Sequence, residues 1–359
     1  MENTQDQQTL LTCTKDLPIP PDNLDLLDAT AAKLREYGLP PRPSPELEPE
    51  LFKVWKEFYV PRPIFVQAKV ALVRNEFRPQ LRLTSATIPA AAASTTRYET
   101  SRNWSGAYIE PNHAKVFVQL SGRWKVPTPA VPPGAEPPPQ GSVDYACSTW
   151  IGFDGQRRYI DSSLPQLGTW QAVTLAAGGT TTPPETYAWY QWWAKDYSGN
   201  APGKITGVPV NPDDEVVCMV RVWQPSVAAM YIKNLRTNLH AHFLVSAPIV
   251  TLRGGHQHQF TISGATAEWV MERPTRLDNG ELYDLAYYYP VKLRHCHAAE
   301  ANPTMPNWPW VVGTNQTFKG ARFIQMYDLL KNPWRTAFIS MPKRKDDTAV
   351  RVKYGGFPR

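Results

Sequence analysis

A chain of 359 residues with 38 Lys+Arg against 32 Asp+Glu, net +6, is long enough for one large or two smaller domains and a sizeable core. Its 42% hydrophobic and 19% charged residues exclude a disordered chain, and no apolar stretch nears the roughly 18 residues that span a membrane. Residues 1–50 hold ten acidic and four basic groups, net −6, which leaves +12 on the remainder. Those lysines and arginines are scattered, so neither nucleic acid nor a membrane is expected as partner. The opening MENTQDQQTLLTCTKD lacks the basic and apolar regions of a conventional secretory signal.

In chain order, residues 1–22 read as a flexible tail and 23–64 as a helical extension. Leu24, Leu27, Ala31 and Leu34 share one face of a first helix, which Gly38 and Pro40 end. Ser44 as N-cap and Pro45 at the first position open a second helix. Its apolar stripe is Leu51, Val54, Trp55 and Phe58, and Pro61 stops it. Both are too short to stand alone in water. Residues 65–100 read as a linker, most clearly in the small, polar, nearly uncharged stretch 84–101.

From residue 101 the pattern is short β-branched and aromatic runs with turn residues between them, Asp154-Gly155 and Asn279-Gly280 included. The whole chain holds 36 prolines and 29 tryptophans and tyrosines, and with these runs residues 101–359 predict an all-β sandwich. The strands are expected in AKVFVQLSGRWKVP, DYACSTWIGFDG, TYAWYQWWAK, DEVVCMVRVW, AAMYIKNL, AHFLVSAP, QHQFTIS, TAEWVME, LAYYYPVKL, GARFIQMY, RTAFISM and AVRVKYG.

Three chemistries compete. The pairs His240/His242, His256/His258 and His295/His297 put imidazoles two apart, hence on one strand face, where two could share a zinc or copper ion in a metal-dependent hydrolase. Strand alternation on a solvated face explains the same spacing. The clusters at 189–193 and 287–289 could stack on polysaccharide or peptide in a non-catalytic binding module, or be divided between core and surface. In AEWVME, Glu268 and Glu272 face one way while Ala267, Trp269 and Met271 face the other, which makes a mid-strand carboxylate a candidate general base beside the reading of two exposed glutamates. There is no Gly-x-Ser-x-Gly and no phosphate-binding glycine loop. Cys13, Cys147, Cys218 and Cys296 form no C-x-x-C pattern, and pairing among the last three stays open.

The segments NWSGA at 103–107, SGRWKVP at 121–127, WIGFDG at 150–155, LPQLGT at 164–169, YAWY at 187–190 and AEWV at 267–270, in this order, resemble the glutamic peptidases of the eqolisin family. The resemblance covers roughly 101–356, and the segment 37–43 with the helix after it is similar to N-terminal segments of bacterial relatives. It implies two antiparallel sheets of concanavalin or lectin type bent around a groove, and an endopeptidase acting at acidic pH without metal or cofactor. By resemblance Gln166 is the oxyanion donor and Glu268 the general base, with Trp104, Asp154, Trp189 and Gln191 around the substrate. Gln191 stands where the family usually has an acid. The implied partner is a protein or peptide, the enzyme a monomer, extracellular by family, and 23–64 an inhibitory pro-segment cleaved near 84–101. A structural helix pair is the other reading of 23–64.

Overall fold

The computed structural model describes residues 13–73, 97–155, 163–194, 197, 202–251, 255–276, 279–305, 308, 310–331 and 334–356. The described chain is nearly all β. Its long strands, numbered along the chain, are β1 (Trp104–Ile109), β2 (Val116–Lys125), β3 (Ser142–Phe153), β4 (Ser163–Ala176), β5 (Glu185–Ala194), β6 (Glu215–Gln224), β7 (Val227–Asn234), β8 (Leu239–Ser246), β9 (Ala267–Glu272), β10 (Val291–Ala301), β11 (Arg322–Lys331), β12 (Trp334–Asp346) and β13 (Ala349–Tyr354).

They form two layers. The first sheet runs β5-β4-β3-β9-β1-β11-β12-β13, with the short strands Gly203–Ile205 and Val70–Leu72 beyond β5. The second runs β8-β7-β6-β2-β10. Strand β10 joins them: Val291–Leu293 pair with β13, and from Arg294 onward it pairs with β2. The register shifts between Arg294 and His297, where His295 takes φ +50°. That bulge turns the strand from one sheet to the other.

Alternation explains the packing. Ile151, Leu167, Tyr190, Trp269 and Met271 face inward from the first sheet and meet Leu120, Val216, Cys218, Met230 and Phe243 of the second in one core. Two indoles cross the gap: Trp269 Nε1 donates to the Ser121 carbonyl at 2.7 Å and Trp124 Nε1 to Thr169 Oγ1 at 3.0 Å. Cys147, Cys218 and Cys296 are buried free thiols.

The N-terminal residues belong to the second sheet. Helix α1 is Ala31–Glu36, shorter than its apolar face suggests, because Asp25 Oδ1 takes the Leu27 N–H in a turn and Thr30 supplies the cap. Helix α2 is Pro49–Tyr59: Ser44 Oγ accepts from Glu46 N and Leu47 N in a separate turn, and Pro49, not Pro45, takes the first helical position. Its stripe of Leu51, Val54, Trp55 and Phe58 is buried as expected. Residues Leu34, Val54, Trp55, Phe58 and Tyr59 pack on Val217, Met219, Ala229 and Tyr231, the outer face of the second sheet.

Two boundaries differ from expectation. Within the expected tail, Thr14–Asp16 form a strand on β8. At the border of the expected linker, Ile64–Phe65 add to β8, while Val70–Leu72 extend the first sheet and Arg97–Ser101 pair with β11. Such runs are too short to carry a periodic signal and gain their hydrogen bonds from the neighbouring edge. The core of the linker, 74–96, lies outside the described residues.

Candidate active site

The outer face of the first sheet carries the candidate residues. Register places Gly152 of β3 opposite Gln166 of β4 on one side and opposite Glu268 of β9 on the other. The row continues to Gln191 beyond Gln166 and to Tyr108 beyond Glu268. Directly opposed residues project to the same face, so Gln166 and Glu268 stand side by side with a glycine between them. Neighbouring strands are about 4.8 Å apart, so their backbones lie about 9.6 Å apart across the row. Gly152 thus stands between an amide and a carboxyl, with the Leu164 side chain packed directly over it. A Cβ at Gly152 would sit 2.8 Å from Leu164 Cδ1, 2.9 Å from the Pro165 carbonyl oxygen and 3.1 Å from Gln166 Cβ.

Each wall is held by its neighbours. Gln166 Nε2 donates to Gln191 Oε1 at 2.9 Å, which orients the amide, while Gln166 Oε1 has no partner among the described residues. Glu268 Oε1 accepts from Gly155 N at 3.1 Å and from Thr266 Oγ1, and Oε2 has no such partner. Both side chains are buried. Burial drives the Glu268 carboxyl well above its ordinary 4.5, and nearby Asp154 adds to this against the bonds from Thr266 and Gly155.

Asp154 has φ +65° and accepts three backbone N–H groups, from Ser263 at 2.6 Å, Gly264 at 3.1 Å and Ala265 at 2.8 Å. Its carboxyl ties down the loop that leads into β9 and thereby sets where Glu268 begins. Trp104 and Trp150 meet edge to face at 4.9 Å and belong, with Trp170 and Trp189, to an apolar cluster on this same face. Trp189 Nε1 donates to Ser148 Oγ at 3.0 Å. The structure thus brings all six expected residues to one face or its rim. It adds Gly152, Gly155 and Thr266, which the motif reading had not assigned, and Glu272, which had been noted only as facing the same way as Glu268.

The histidine pairs lie elsewhere. His240 and His242 are buried beneath the N-terminal residues, with rings 5.4 Å apart. His242 Nε2 donates to the Tyr37 carbonyl at 2.9 Å, and His240 is ringed by Phe58, Tyr59 and Phe65. The bulge breaks the alternation of the third pair: His295 contacts Glu57, and His297 contacts Asn315. His256 is exposed and His258 half-buried on Phe260. Among the described residues, no three His, Cys, Asp or Glu side chains gather as a metal site.

The Peptidase A4 family matches residues 102–327. A scytalido-glutamic peptidase solved with a transition-state analogue inhibitor is 17% identical over 71% of this chain and 100% of its own, with a TM-score of 0.47. SCP-B, an eqolisin-family peptidase solved with the tripeptide Ala-Ile-His, is 16% identical over 71% and 100%, with a TM-score of 0.44. An aspergilloglutamic peptidase from Aspergillus niger is 18% identical over 58% of this chain and 99% of its own, with a TM-score of 0.42. No curated protein matches the chain.

Proposed function

The chain belongs to the Peptidase A4 family and is a peptidase, and on that premise we propose that it is an endopeptidase using Glu268 as general base and Gln166 as oxyanion donor. The observation that carries this reading is the row Gln166–Gly152–Glu268, with a buried carboxyl and a buried amide facing one another over a glycine. A peptide carbonyl brought between these two side chains would have an N–H donor on one side and a base on the other.

The chemistry then follows from what each atom has free. Glu268 Oε2 takes a proton from water as the water oxygen bonds to the carbonyl carbon. One hydrogen of Gln166 Nε2 is committed to Gln191, and the second serves the oxygen on which negative charge develops. Glu268 then returns the proton to the departing amine as the C–N bond breaks. Trp104 and Trp189, both buried, pack beneath the row and hold its strands in place, Gln191 orients Gln166, and Asp154 positions the loop before Glu268. None of these steps calls on the histidines.

The base must be ionised, so kcat/KM rises as pH climbs through the pKa of Glu268 in the free enzyme. Burial has raised that pKa, which places the acid limb above the ordinary carboxylate range and moves the working range toward neutral from the acidic optimum that the resemblance implies. The test is cleavage of an unfolded protein from about pH 2 to pH 8. Glu268→Gln is expected to lose about 10²–10⁴-fold in kcat and Gln166→Ala about 10²–10³-fold, with folding intact. Equal activity in wild type and a folded Glu268→Gln variant overturns the proposal.

We read residues 23–64 as a structural cover for the second sheet. Their packing on the face remote from Gln166 and Glu268 supports this over direct blockade of the groove.

A further inference from the structure

Glu272 has no step in the chemistry above, yet it is as enclosed as the proposed base. It lies four residues beyond Glu268 on β9, hence on the same face of the sheet, with 0% exposure. Among the described residues its hydrogen-bond partners are three N–H donors and no cation: Asn103 Nδ2 at 3.3 Å and Trp104 Nε1 at 3.2 Å on Oε1, and Trp150 Nε1 at 2.7 Å on Oε2. Enclosing a carboxyl without a counter-ion is costly, and burial pushes this one up to about 8. Val270, between the two glutamates on the same face, shows that the strand accepts an apolar residue there. Packing alone therefore does not account for the acid.

Its contacts do. Trp104 and Trp150 come from β1 and β3, the strands on either side of β9, and Glu272 holds each by its one polar atom. The far edge of the Trp104 ring rests on Gly155: a Cβ there would lie 2.7 Å from Cη2 and 3.3 Å from Cζ3. The Gly155 N–H is the donor that reaches Glu268 Oε1 at 3.1 Å. A single ring and a single glycine thus connect the two carboxyls.

We propose that Glu272 is a positioning residue for the base: by anchoring the Trp104 indole it fixes Gly155, and through the Gly155 N–H it fixes Glu268. The proposal rests on Glu268 being the base. It acts on the reacting geometry and leaves the substrate's own contacts in place, so it governs kcat more than KM.

Glu272→Gln tests it. The amide keeps one acceptor oxygen and turns an N–H₂ group toward the other indole N–H, so whichever ring is released, the Trp104–Trp150 pair that Glu272 holds from both sides is loosened while side-chain volume is kept. With wild type, Glu268→Gln and Glu272→Gln assayed on the same unfolded protein, the expected result is a fall of about 10- to 100-fold in kcat, since small misplacements of reacting groups cost that much. KM should stay within about twofold, and the near-UV tryptophan dichroism should change. Trp104→Phe removes the same anchor from the other side. In that background Glu272→Gln should lower kcat no further, the non-additivity of residues acting through one another. A folded Glu272→Gln enzyme with wild-type kcat, or losses that multiply in the double variant, overturns the proposal. Should Glu272→Gln not fold, an unchanged kcat in Trp104→Phe overturns it and a reduced one supports it. If Glu268→Gln also cleaves, or wild type does not, the base assignment has failed instead. The dichroism then still tests the anchor, and an unchanged spectrum in Glu272→Gln refutes it.

Discussion

Gly152 lets Leu164, Pro165 and Gln166 pack close to the centre of the row by having no side chain. Gly152→Ala would press a methyl against Leu164, the Pro165 carbonyl and Gln166 Cβ, all within 3.1 Å. Contacts that close displace Leu164 and Gln166 from the row. The expected outcome is a loss of about 10²-fold in kcat/KM and a thermal destabilisation of about 1–3 kcal/mol, read by steady-state kinetics and thermal unfolding. Wild-type kinetics in this variant would show that the position Gly152 allows Gln166 does not matter to the reaction. The sequence shows why such a residue is hard to assign from pattern alone. Gln166 and Glu268 emerged from motif resemblance, but Gly152 acquires its role from register, by standing opposite both. Thr266 and Gly155 are likewise legible only once β9 and the turn after β3 are adjacent. Glu272 was visible as an acid facing the same way as Glu268. That it is fully buried against two indoles follows from neighbours more than 120 residues away.

At the scale of elements, strands with strict alternation were readable, and those lacking it were not. Ser163–Ala176, which carries Gln166, was expected only as a motif. Pro165 and Gly168 interrupt it, and few of its residues are β-branched, so propensity argued against a strand that tertiary pairing on both sides imposes. The α2 stripe was legible because it is amphipathic. Which surface it covers was not, since nothing local specifies the partner face. That placement decides what the N-terminal residues do. Trp55, Phe58, Leu34 and Val54 each bury about 1.5–3 kcal/mol worth of apolar side chain. Lys233 Nζ donates to the Glu57 and Phe58 carbonyls at 3.0 and 3.1 Å, closing the end of α2 onto β7. Removing residues 1–64 should therefore expose Val217, Met219 and Tyr231 and yield aggregated protein or a lower Tm, with no gain in kcat/KM per folded molecule. A truncated enzyme that is more active at undiminished Tm would establish an inhibitory pro-segment instead.

Over the whole molecule, the buried titratable groups of the two sheets respond to pH with opposite sign. On the first sheet, burial raises Glu272 to about 8 from an ordinary 4.5, and Glu268 moves the same way. The folded state there binds more protons, so their contribution is fully present below about 4.5 and is lost as pH rises, through about 8 for Glu272 and through its own raised pKa for Glu268. The second sheet does the reverse. Burial lowers His242 and His297 to about 4 from 6.5, and His240 moves well down, with His242 and Lys233 adding to its depression. Asp16 and the Tyr37 carbonyl face His242, and Asn315, His295, Glu50 and Lys53 influence His297. Here the unfolded state binds more protons, so stability is lost as pH falls from about 6.5 through about 4. Each of the two histidines at about 4 accounts for about 3 kcal/mol across that window. Glu57, Glu215 and Glu300, whose bonds to cations or amides hold them below 4.5, add losses of the same sign at lower pH. Falling pH thus first relieves the first sheet and then undermines the second, which places maximal stability in mild acid and starts acid unfolding under α2. His242→Gln keeps a donor for the Tyr37 carbonyl and removes one titrating group. Tm measured from pH 8 to pH 3 should decline less steeply below 6.5 in that variant than in wild type. Identical slopes would show that His242 is not buried uncharged beneath the N-terminal residues.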